Sequence, residues 1–357
     1  MALDDLRKDI DTIDDEILAL LARRAEVVGK IREAKRELGV FAHDPERERK
    51  VLSRLVDKGA GTFPSDAIAR VFREVMSASV SMQEPVEVSF LGPEGTYSHM
   101  AARHLFGLSA RYVEAATIEG VVDAVRRSAC RYGVVPIENS TEGPVTSTID
   151  ALLEGGVSIR GESVLPVSHC LLGAATGLTQ IERVYSHPQA LAQCRLWLSK
   201  NLAQAQLVQT SSTTTAVREA LLDPRAAAIG SALCSELYGI SILRERIQDR
   251  AENATRFVTL AKSDAPRTGQ DKTTLAFALP EEQRQGALRR TLEIFDTAGV
   301  NLTHIESRPS PISAWAYVFV VDVEGHREDP HVAQAIAALR VRCGEVSLLG
   351  SYPRGGV

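Results

Sequence analysis

The first forty residues carry apolar side chains at spacings of three and four, the pattern of one helical face. The positions are Leu3, Leu6, Ile10, Ile13, Ile17, Leu20, Val27, Ile31, Ala34 and Leu38, and Gly39 stands where such a helix should end. We predict one helix of about 35 residues, which spans roughly 52 Å at about 1.5 Å per residue. Two short helices cannot cover that length, so a second copy of the chain is expected to pack against it.

The pattern changes twice further along the chain. Asp44-Pro45 and Pro64-Ser65 each predict the start of a shorter helix. From Pro85 onward, short β-branched runs alternate with helical stretches, which is typical of α/β architecture with a parallel sheet. A polar stretch at 262–270 predicts a linker, and the βαββαβ order after it predicts a ferredoxin-like module. The expected domains are all-α over 1–84, α/β over 85–262 and ferredoxin-like over 271–357.

Composition narrows the class of protein. Of the 357 residues, 44% are hydrophobic and 24% charged, as in soluble globular proteins. No run of about 18 apolar residues occurs and the N-terminus is acidic, so neither a membrane span nor a signal peptide is expected. A net charge of −5 without a basic block argues against a nucleic-acid partner. The cysteines and histidines lack metal-ligand spacing, so we expect a cytoplasmic protein without a metal.

Charge is concentrated in the predicted helical segment, where 32 of the first 84 residues are charged. Arg24 occupies the seam between Leu20 and Val27, where a leucine would be expected, and Arg23 is the alternative in the neighbouring register. A solvated helix face explains most of the charges, yet an inward arginine needs a partner. Several polar groups directed into one bundle predict a small anionic ligand.

This segment resembles the all-α chorismate mutase module over its whole length. In that family a dicarboxylate undergoes a Claisen rearrangement, in which cations hold the compact conformer and donors stabilise charge on the ether oxygen. The resemblance implies carboxylate contacts from Arg7 of a partner chain, Arg24 and Arg47, ether-oxygen contacts from Lys35 and Gln83, a hydroxyl acceptor in Glu48, and support from Asp44 and Ser79.

In the α/β segment, four predicted strands end in a turn with polar or glycine residues that opens a helix. The turns are Gly92–Ser98, Pro136–Thr141, Ser186–Gln189 and Thr210–Thr215. Ligands of open α/β sheets bind beyond the carboxyl ends of strands, and helix N-termini favour anions. Each hydroxyl alone is interpreted as an ordinary N-cap, whereas the four turns together predict an anion site. The first turn lacks the third glycine of a dinucleotide loop, so no nucleotide cofactor is expected.

The first three of these turns, with Gln193-Cys194 and Asn253-Ala254-Thr255-Arg256-Phe257, resemble prephenate dehydratase in the family's order. The resemblance implies two α/β lobes around a cleft in which prephenate loses carbon dioxide and its ring hydroxyl. Hydroxide is a poor leaving group, so a proton donor should dominate catalysis, and the resemblance gives Thr255 that role. The implied prephenate-binding residues are Thr96, Ser98, Glu138, Asn139, Ser140, Ser186, His187, Gln189, Thr255, Arg256 and Phe257. For Arg256, a surface ion pair is an equally good interpretation.

The C-terminal segment resembles the ACT regulatory module, with a Gly-Ala-Leu turn that opens a helix and a Glu-Ser-Arg-Pro run. The implied ligand is phenylalanine, held where two such modules meet, and a plain dimerisation domain is the alternative. The implied binding residues are Gly286, Ala287, Leu288, Asn301, Leu302, Glu306, Ser307, Arg308 and Pro309.

The full order resembles the family of bifunctional chorismate mutase/prephenate dehydratases. It implies conversion of chorismate to prephenate and then to phenylpyruvate in L-phenylalanine biosynthesis, with feedback by phenylalanine, in a homodimer or larger homo-oligomer that needs no cofactor. Two alternatives are a non-enzymatic amino-acid sensor and a dehydratase whose mutase module is inactive.

Overall fold

The computed structural model describes residues 3–38, 43–59, 61–279, 285–309 and 317–355. Contacts divide the chain into two compact units, Met1–Val86 with Phe106–Arg111, and Glu87–Leu105 with Tyr112–Val357. Among the described residues, none of the helices combines the length and the apolar character that crossing a membrane requires.

The first unit consists of three helices, α1 (Leu3–Leu38), α2 (Pro45–Lys58) and α3 (Ser65–Gln83). The predicted end of α1 at Gly39 lies outside the described residues. The Asp44 carboxylate accepts a hydrogen bond from the backbone N–H of Arg47 at 3.0 Å and so caps α2 as predicted. α3 packs against both other helices, and Val28 is the one buried residue among those described on α1.

The short segment Phe106–Arg111, which we expected in the α/β domain, belongs to this helical unit. The Ser77 hydroxyl on α3 donates to the carbonyl oxygen of Phe106 at 2.8 Å and accepts from the N–H of Ser109 at 3.2 Å. The segment has no hydrophobic period of its own, so the sequence pattern does not indicate this packing.

The second unit begins with two α/β lobes. The first lobe contains β1 (Glu87–Leu91), α4 (Tyr97–Phe106), β2 (Arg111–Ala115), α5 (Ile118–Arg126), β3 (Tyr132–Asn139), β4 (Gly143–Pro144), α6 (Thr146–Leu153) and β5 (Ser158–Pro166). The second lobe contains β6 (Cys170–Gly173), β7 (Arg183–Ser186), α7 (Pro188–Gln193), α8 (Arg195–Asn201), β8 (Gln206–Gln209), α9 (Thr213–Leu221), β9 (Ala226–Gly230), α10 (Ala232–Tyr238) and β10 (Ile242–Arg244). The chain then returns to the first lobe as β11 (Ala254–Ala261).

The two sheets are mixed rather than purely parallel, which differs from our expectation. In the first lobe the order is β2-β1-β3-β11-β5, with β1 and β3 parallel and β11 antiparallel to both of its neighbours. In the second lobe the order is β10-β6-β9-β7-β8. In the first sheet the antiparallel strand is β11, which enters from the second lobe. In the second sheet β6 is antiparallel to β9, and β10 is antiparallel to β6. Residues 167–169 and 245–253 join the lobes.

The C-terminal module, called the regulatory module after the resemblance noted above, has the predicted βαββαβ order. It contains β12 (Asp271–Ala278), α11 (Ala287–Thr297), β13 (Leu302–Pro309), β14 (Tyr317–Glu324), α12 (Pro330–Cys343) and β15 (Val346–Pro353). The antiparallel sheet has the order β13-β14-β12-β15, and the predicted strand residues 315 and 316 lie outside the described part of the chain. α11 and α12 pack on one face of this sheet through residues such as Phe277, Phe295 and Leu339.

The opposite face of the regulatory sheet packs against the first lobe. Val258 and Leu260 of β11 share one hydrophobic cluster with Val320 of β14 and Tyr352 of β15. A side chain at Gly350 would overlap the backbone of Ile159 on β5, so the close approach of β15 to β5 requires glycine there. The module is therefore packed onto the first lobe along a strand edge and a sheet face.

The predicted linker at 262–270 is packed rather than free. Ala265 is 8% exposed and belongs to the same cluster, and the Asp264 carboxylate pairs with Arg327 at 3.1 Å. Arg267 forms an ion pair with Asp329. Polar composition predicted a linker, and its polar side chains have partners in the regulatory module.

Candidate active sites

Arg24, the charged residue of α1 that we predicted to point inward, contacts α3. The Arg24 guanidinium donates through Nη1 to the Ser79 hydroxyl and to the Val75 carbonyl oxygen, the latter at 3.3 Å, whereas Arg23 is exposed. Gln83 donates through Nε2 to the Ser79 carbonyl oxygen at 3.1 Å, and its buried Oε1 has no hydrogen-bond partner among the described residues. Arg24, Ser79 and Gln83 are thus brought together, with one buried acceptor left to be satisfied.

The other predicted mutase residues lie around the start of α2 and the end of α1. Glu48 Oε1 is 3.6 Å from Nε2 of the buried His43, and Asp44 serves as the cap of α2. Arg47 is exposed and Lys35 is half-buried. Glu48 and His43 also line a small cavity of about 10 Å³ together with Ser77 and Phe106.

Arg7 is remote from this group. Its guanidinium contacts Asp4 at 3.2 Å, and its side chain is 69% exposed. Arg7 precedes Arg24 by 17 positions on the same helix, which is roughly 26 Å along the axis. One chain therefore cannot bring Arg7 and Arg24 to the same small ligand.

The second unit holds a cavity of about 430 Å³ between its two lobes. All four predicted strand-end turns contribute to it, for example through Thr96, Asn139, His187 and Ser212. Among the described lining residues there is no lysine or arginine, and the polar groups are hydroxyls, amides, two imidazoles and the Glu142 carboxylate. A concave site of this size, lined by converging polar groups, suits a small organic ligand.

Seven of the eleven residues expected to bind prephenate line this cavity: Thr96, Ser98, Asn139, His187, Gln189, Thr255 and Phe257. The remaining four do not. The Ser186 hydroxyl is buried and donates to the Ile229 carbonyl oxygen at 2.8 Å, and the Ser140 hydroxyl accepts from the Ala254 N–H at 3.0 Å. Both hydroxyls therefore support the backbone beside the cavity.

The candidate proton donor Thr255 is 8% exposed and stands near the start of β11. Its Oγ1 lies 2.8 Å from the amide nitrogen of Asn139 at the end of the neighbouring β3. The side-chain oxygen of Asn139, Oδ1, accepts from the backbone N–H groups of Thr141 at 3.0 Å and Glu142 at 3.2 Å. Asn139 is therefore a hydrogen-bonded neighbour of Thr255, which the sequence alone does not identify.

A chain of side-chain hydrogen bonds continues from Asn139. Its amide nitrogen donates to Asn253 Oδ1 at 3.0 Å, and Asn253 Nδ2 donates to Gln193 Oε1 at 3.1 Å. Gln193 also lies 2.8 Å from Nε2 of His169 and donates to Glu142 at 3.1 Å. Sequence reasoning assigned none of Asn253, Gln193, His169 and Glu142 to the site. Asn253 and Gln193 belong to two of the motifs named in the sequence analysis, and that is the one signal that could have pointed to them.

Arg256 is neither at the cavity nor at the surface. Its guanidinium lies 2.7 Å from Glu162 and 2.7 Å from Asp322, and donates to the Tyr352 hydroxyl at 2.9 Å. Lys272 completes the cluster at 2.9 Å from Glu162. Because alternate residues of a strand face opposite sides, Thr255 faces the cavity while Arg256 faces the regulatory sheet.

Glu138 lies beside Arg256 rather than at the cavity. Its carboxylate is 3.8 Å from the Arg256 guanidinium and 4.0 Å from His304 of β13. Neither of the two interpretations of Arg256 from sequence describes this buried ionic cluster.

The residues expected to bind phenylalanine divide between two places. Gly286, with φ +71°, precedes α11, whose first residues are Ala287 and Leu288. The others begin with the exposed Asn301 and continue through β13, the edge strand, from Leu302 to Pro309.

Successive residues of β13 face opposite sides of the sheet. Arg308 donates to both carboxylate oxygens of Asp150 on α6, at 2.8 and 2.7 Å. Glu306 lies on that same face, its Oε2 lacks a hydrogen-bond partner among the described residues, and burial raises the pKa of its carboxyl. Ser307 faces the other way and is exposed. Glu306 and Ser307 therefore do not share one face of their strand.

Comparison with known proteins decides the family. Sequence profiles match in order: chorismate mutase type II over residues 6–84, prephenate dehydratase over 88–265 and the ACT domain over 282–341. The "Bifunctional chorismate mutase/prephenate dehydratase" of Aquifex aeolicus (strain VF5) is 44% identical over 356 residues, which cover 99% of this chain and 98% of that protein. The chain belongs to the bifunctional chorismate mutase/prephenate dehydratase family. A relative of the same name from Stutzerimonas stutzeri is 39% identical and covers 98% of this chain and 97% of its own.

The structural comparison agrees for the second unit. Prephenate dehydratase from Arthrobacter aurescens, solved in complex with L-Phe, matches with a TM-score of 0.70 at 37% identity. The match covers 75% of this chain and 90% of that one. The predicted family, and the fold class of helical mutase module, two-lobed dehydratase domain and ACT module, are confirmed.

Proposed function

We propose that this chain catalyses the rearrangement of chorismate to prephenate and the decarboxylative dehydration of prephenate to phenylpyruvate, two successive steps of L-phenylalanine biosynthesis. The observation that carries the dehydratase activity is the Thr255 hydroxyl at the cavity, with its oxygen occupied by the Asn139 amide. Membership in the bifunctional family supports both activities.

In the dehydration, hydroxyls and backbone N–H groups replace cations as carboxylate ligands. Thr96 and Ser98 stand at the start of α4, and Ser212 caps α9, so that two helix N-termini face the cavity. The Thr255 proton passes to the ring hydroxyl of prephenate, the C–O bond breaks and water leaves. The electron pair of the bond to the departing carbon dioxide completes the aromatic ring. Asn139 stabilises the Thr255 oxygen as its proton leaves.

For the rearrangement, we infer that two chains form a homodimer through α1 and complete each other's mutase pocket. Arg24, Ser79 and Gln83 come from one chain and Arg7 from its partner, because 17 helical positions separate the two arginines. Lys35 and Gln83 would contact the ether oxygen, Glu48 the ring hydroxyl, and Arg47 a carboxylate, with Asp44 holding the start of α2. Exposed apolar residues along α1 supply the surface that the partner would cover.

We further propose feedback by phenylalanine at the ACT module. The N–H groups at the start of α11 have no intrahelical partner and suit its carboxylate. Among the described strands β13 is at the edge of its sheet, where a second module would pair. Coupling to the cleft would run through the ion cluster around Arg256, adjacent in sequence to Thr255. We place the protein in the cytoplasm, since its five cysteines are free and thiols persist there.

The deciding experiment feeds chorismate to the purified chain and measures prephenate and phenylpyruvate, with and without phenylalanine. Both products should form, and added phenylalanine should suppress phenylpyruvate. A non-enzymatic sensor would release no carbon dioxide from prephenate, and a chain with an inactive mutase module would convert prephenate but leave chorismate unchanged.

A further inference from the structure

A hydroxyl of the second lobe holds the turn that precedes α4 in the first lobe. Ser231, at the start of α10, is fully buried, and its hydroxyl lies 2.6 Å from the Gly95 carbonyl oxygen. A carbonyl oxygen only accepts, so Ser231 is the donor. Cys234 Sγ lies 3.4 Å from the same oxygen, and the Tyr238 hydroxyl donates to the Glu94 carbonyl oxygen at 3.2 Å. The backbone of this turn is therefore bonded to the other lobe at two successive residues.

Gly95 is held by both of its backbone polar groups. Its N–H donates to Nδ1 of His99 within α4 at 3.1 Å, while its carbonyl oxygen accepts from Ser231 of α10. A Cβ at residue 95 would lie 2.9 Å from Cys234 Sγ, so the turn lies directly against the second lobe. The position of Gly95 is thus set jointly by one helix from each lobe.

The three residues after Gly95 line the cavity, namely Thr96, Tyr97 and Ser98. The hydroxyls of Thr96 and Tyr97 each donate to a backbone carbonyl oxygen of the protein, at 3.1 and 2.8 Å. Because those two protons are already used, the Ser98 hydroxyl is the member of this group that suits a substrate carboxylate. Ser98 lies in the first turn of α4, so its position in the cavity follows the position of Gly95.

We propose that Ser231 is a positioning residue for prephenate binding. It is not among the described residues that line the cavity, and it acts by holding the Gly95 carbonyl oxygen so that Ser98 faces the substrate. Because Ser231 and Gly95 belong to different lobes, the turn takes this position only when the two lobes are together. The inference rests on the dehydratase function proposed above and adds to it a residue that sets substrate affinity from the opposite lobe.

Steady-state kinetics of the Ser231→Ala enzyme test this role. The KM for prephenate should rise about tenfold because the turn loses its bond to the second lobe, and kcat should change less than about threefold because Thr255 and Asn139 keep their contacts. Ser231→Cys keeps the size of the side chain with a weaker donor, and its KM should lie between the other two. Ser235→Ala is the matched control, since it removes a serine bond of the same length, 2.6 Å, to the Ile240 carbonyl oxygen within the second lobe. Its KM should equal that of the original enzyme.

A direct binding measurement separates affinity from turnover. The Thr255→Val enzyme lacks the acid and consumes little prephenate, so calorimetry gives the Kd of prephenate in that background. Adding Ser231→Ala should raise this Kd about tenfold. When Ser98→Ala is also present, Ser231→Ala should cost less than about threefold, since the hydroxyl that Ser231 positions is already absent. A serine that only stabilises the fold would weaken binding equally in both backgrounds.

Three results would each overturn the role of Ser231: an unchanged KM in Ser231→Ala, equal losses in Ser231→Ala and Ser235→Ala, or equal losses with and without Ser98→Ala. Urea unfolding of every variant checks that the second unit remains folded. Where Ser231→Ala does not fold, Ser231→Cys takes its place, and an unchanged KM there rejects the proposal equally. If the original enzyme itself releases no phenylpyruvate from prephenate, the proposed function fails instead.

Discussion

The two units of this chain differ in how much they bury the residues of their candidate sites. On α1 the predicted apolar face stays exposed, with Leu6 at 44%, Ile10 at 57% and Leu20 at 63%. In the second unit, turns from two lobes enclose the cavity, and Thr255 and Asn139 are 8% and 9% exposed. The residues of the cavity meet within a single chain, whereas the apolar face of α1 is left exposed.

The difference follows from how each unit buries its apolar surface. A helix of 36 residues spans about 54 Å, and α2 and α3 have only 14 and 19 residues to set against it. Two lobes joined by paired connecting segments can close on each other without help. Sequence periodicity shows that a face is apolar, but it does not show what covers that face, and for α1 we propose a second copy of the chain.

The largest expected effect tests the self-contained site. Thr255→Val keeps the shape of the side chain but removes the hydroxyl proton, and dehydratase turnover should fall by about 10²–10⁴-fold. Thr255→Ser should retain part of the rate, and chorismate consumption should be unchanged in both variants. The measurement is phenylpyruvate formed from supplied prephenate. Turnover at the original rate in Thr255→Val would remove Thr255 as the acid.

The next effect concerns how firmly the second unit is assembled. Arg256→Met leaves Glu162 and Asp322 buried with one partner fewer, which should cost about 3–5 kcal/mol of unfolding free energy. Urea unfolding gives this value, and Arg256→Lys should lose less. As a control, Arg225→Met removes an ion pair with Glu182 in which the Arg225 side chain is 63% exposed, and should cost less than about 1 kcal/mol. Similar losses in the two variants would contradict a structural role for the cluster.

A smaller effect depends on pH and should appear in the second unit. His99 is buried, stacks on Phe90 at 4.6 Å and accepts from the Gly95 N–H at 3.1 Å. Burial lowers the pKa of His99 to about 4, against about 6.5 when unfolded. The unfolded state therefore binds the proton first, and stability is lost as the pH falls from about 6.5 toward 4, by up to about 3 kcal/mol.

Urea unfolding at pH 7.5 and pH 5 measures this loss. His99→Asn keeps an acceptor for the Gly95 N–H without titrating in that range, so its stability should change less between the two conditions. An equal change in both proteins would assign the pH dependence to other groups.

The smallest measured change is a partial recovery of mutase activity, and it tests the site that we propose two chains share. Arg7→Ala and Arg24→Ala chains should each lack mutase activity, and mixing them after reversible dissociation should restore about a quarter of the original activity, because half of the dimers then hold one intact pocket. Thr255→Val mixed with Asn139→Leu should restore no dehydratase activity, since both groups belong to one chain. Verified hybrid dimers without mutase recovery would contradict the shared pocket.

Local sequence patterns predicted the elements well where the physical cause is local. Asp44 and the spacing on α1 determine helix starts and faces, and strand-end turns mark the edge of a sheet. The cavity role of Thr255 came from family resemblance, since a threonine hydroxyl carries no distinctive signal. The partners of Arg256 were not predictable from pattern, because Asp322 and Tyr352 are more than 60 positions away and meet it only through packing of the regulatory sheet.

The two faces of β11 place a limit on how this chain can change in length. Thr255 and Phe257 line the cavity, while Arg256 between them lies in the ion cluster, and a bulge against β3 falls between Arg256 and Phe257. One residue inserted ahead of Thr255 would exchange the faces, turning a guanidinium into the cavity and a hydroxyl toward Asp322. Catalysis and assembly would be lost in a single mutational event. Insertions and deletions in descendants of this gene should therefore accumulate in its loops and spare residues 254–261.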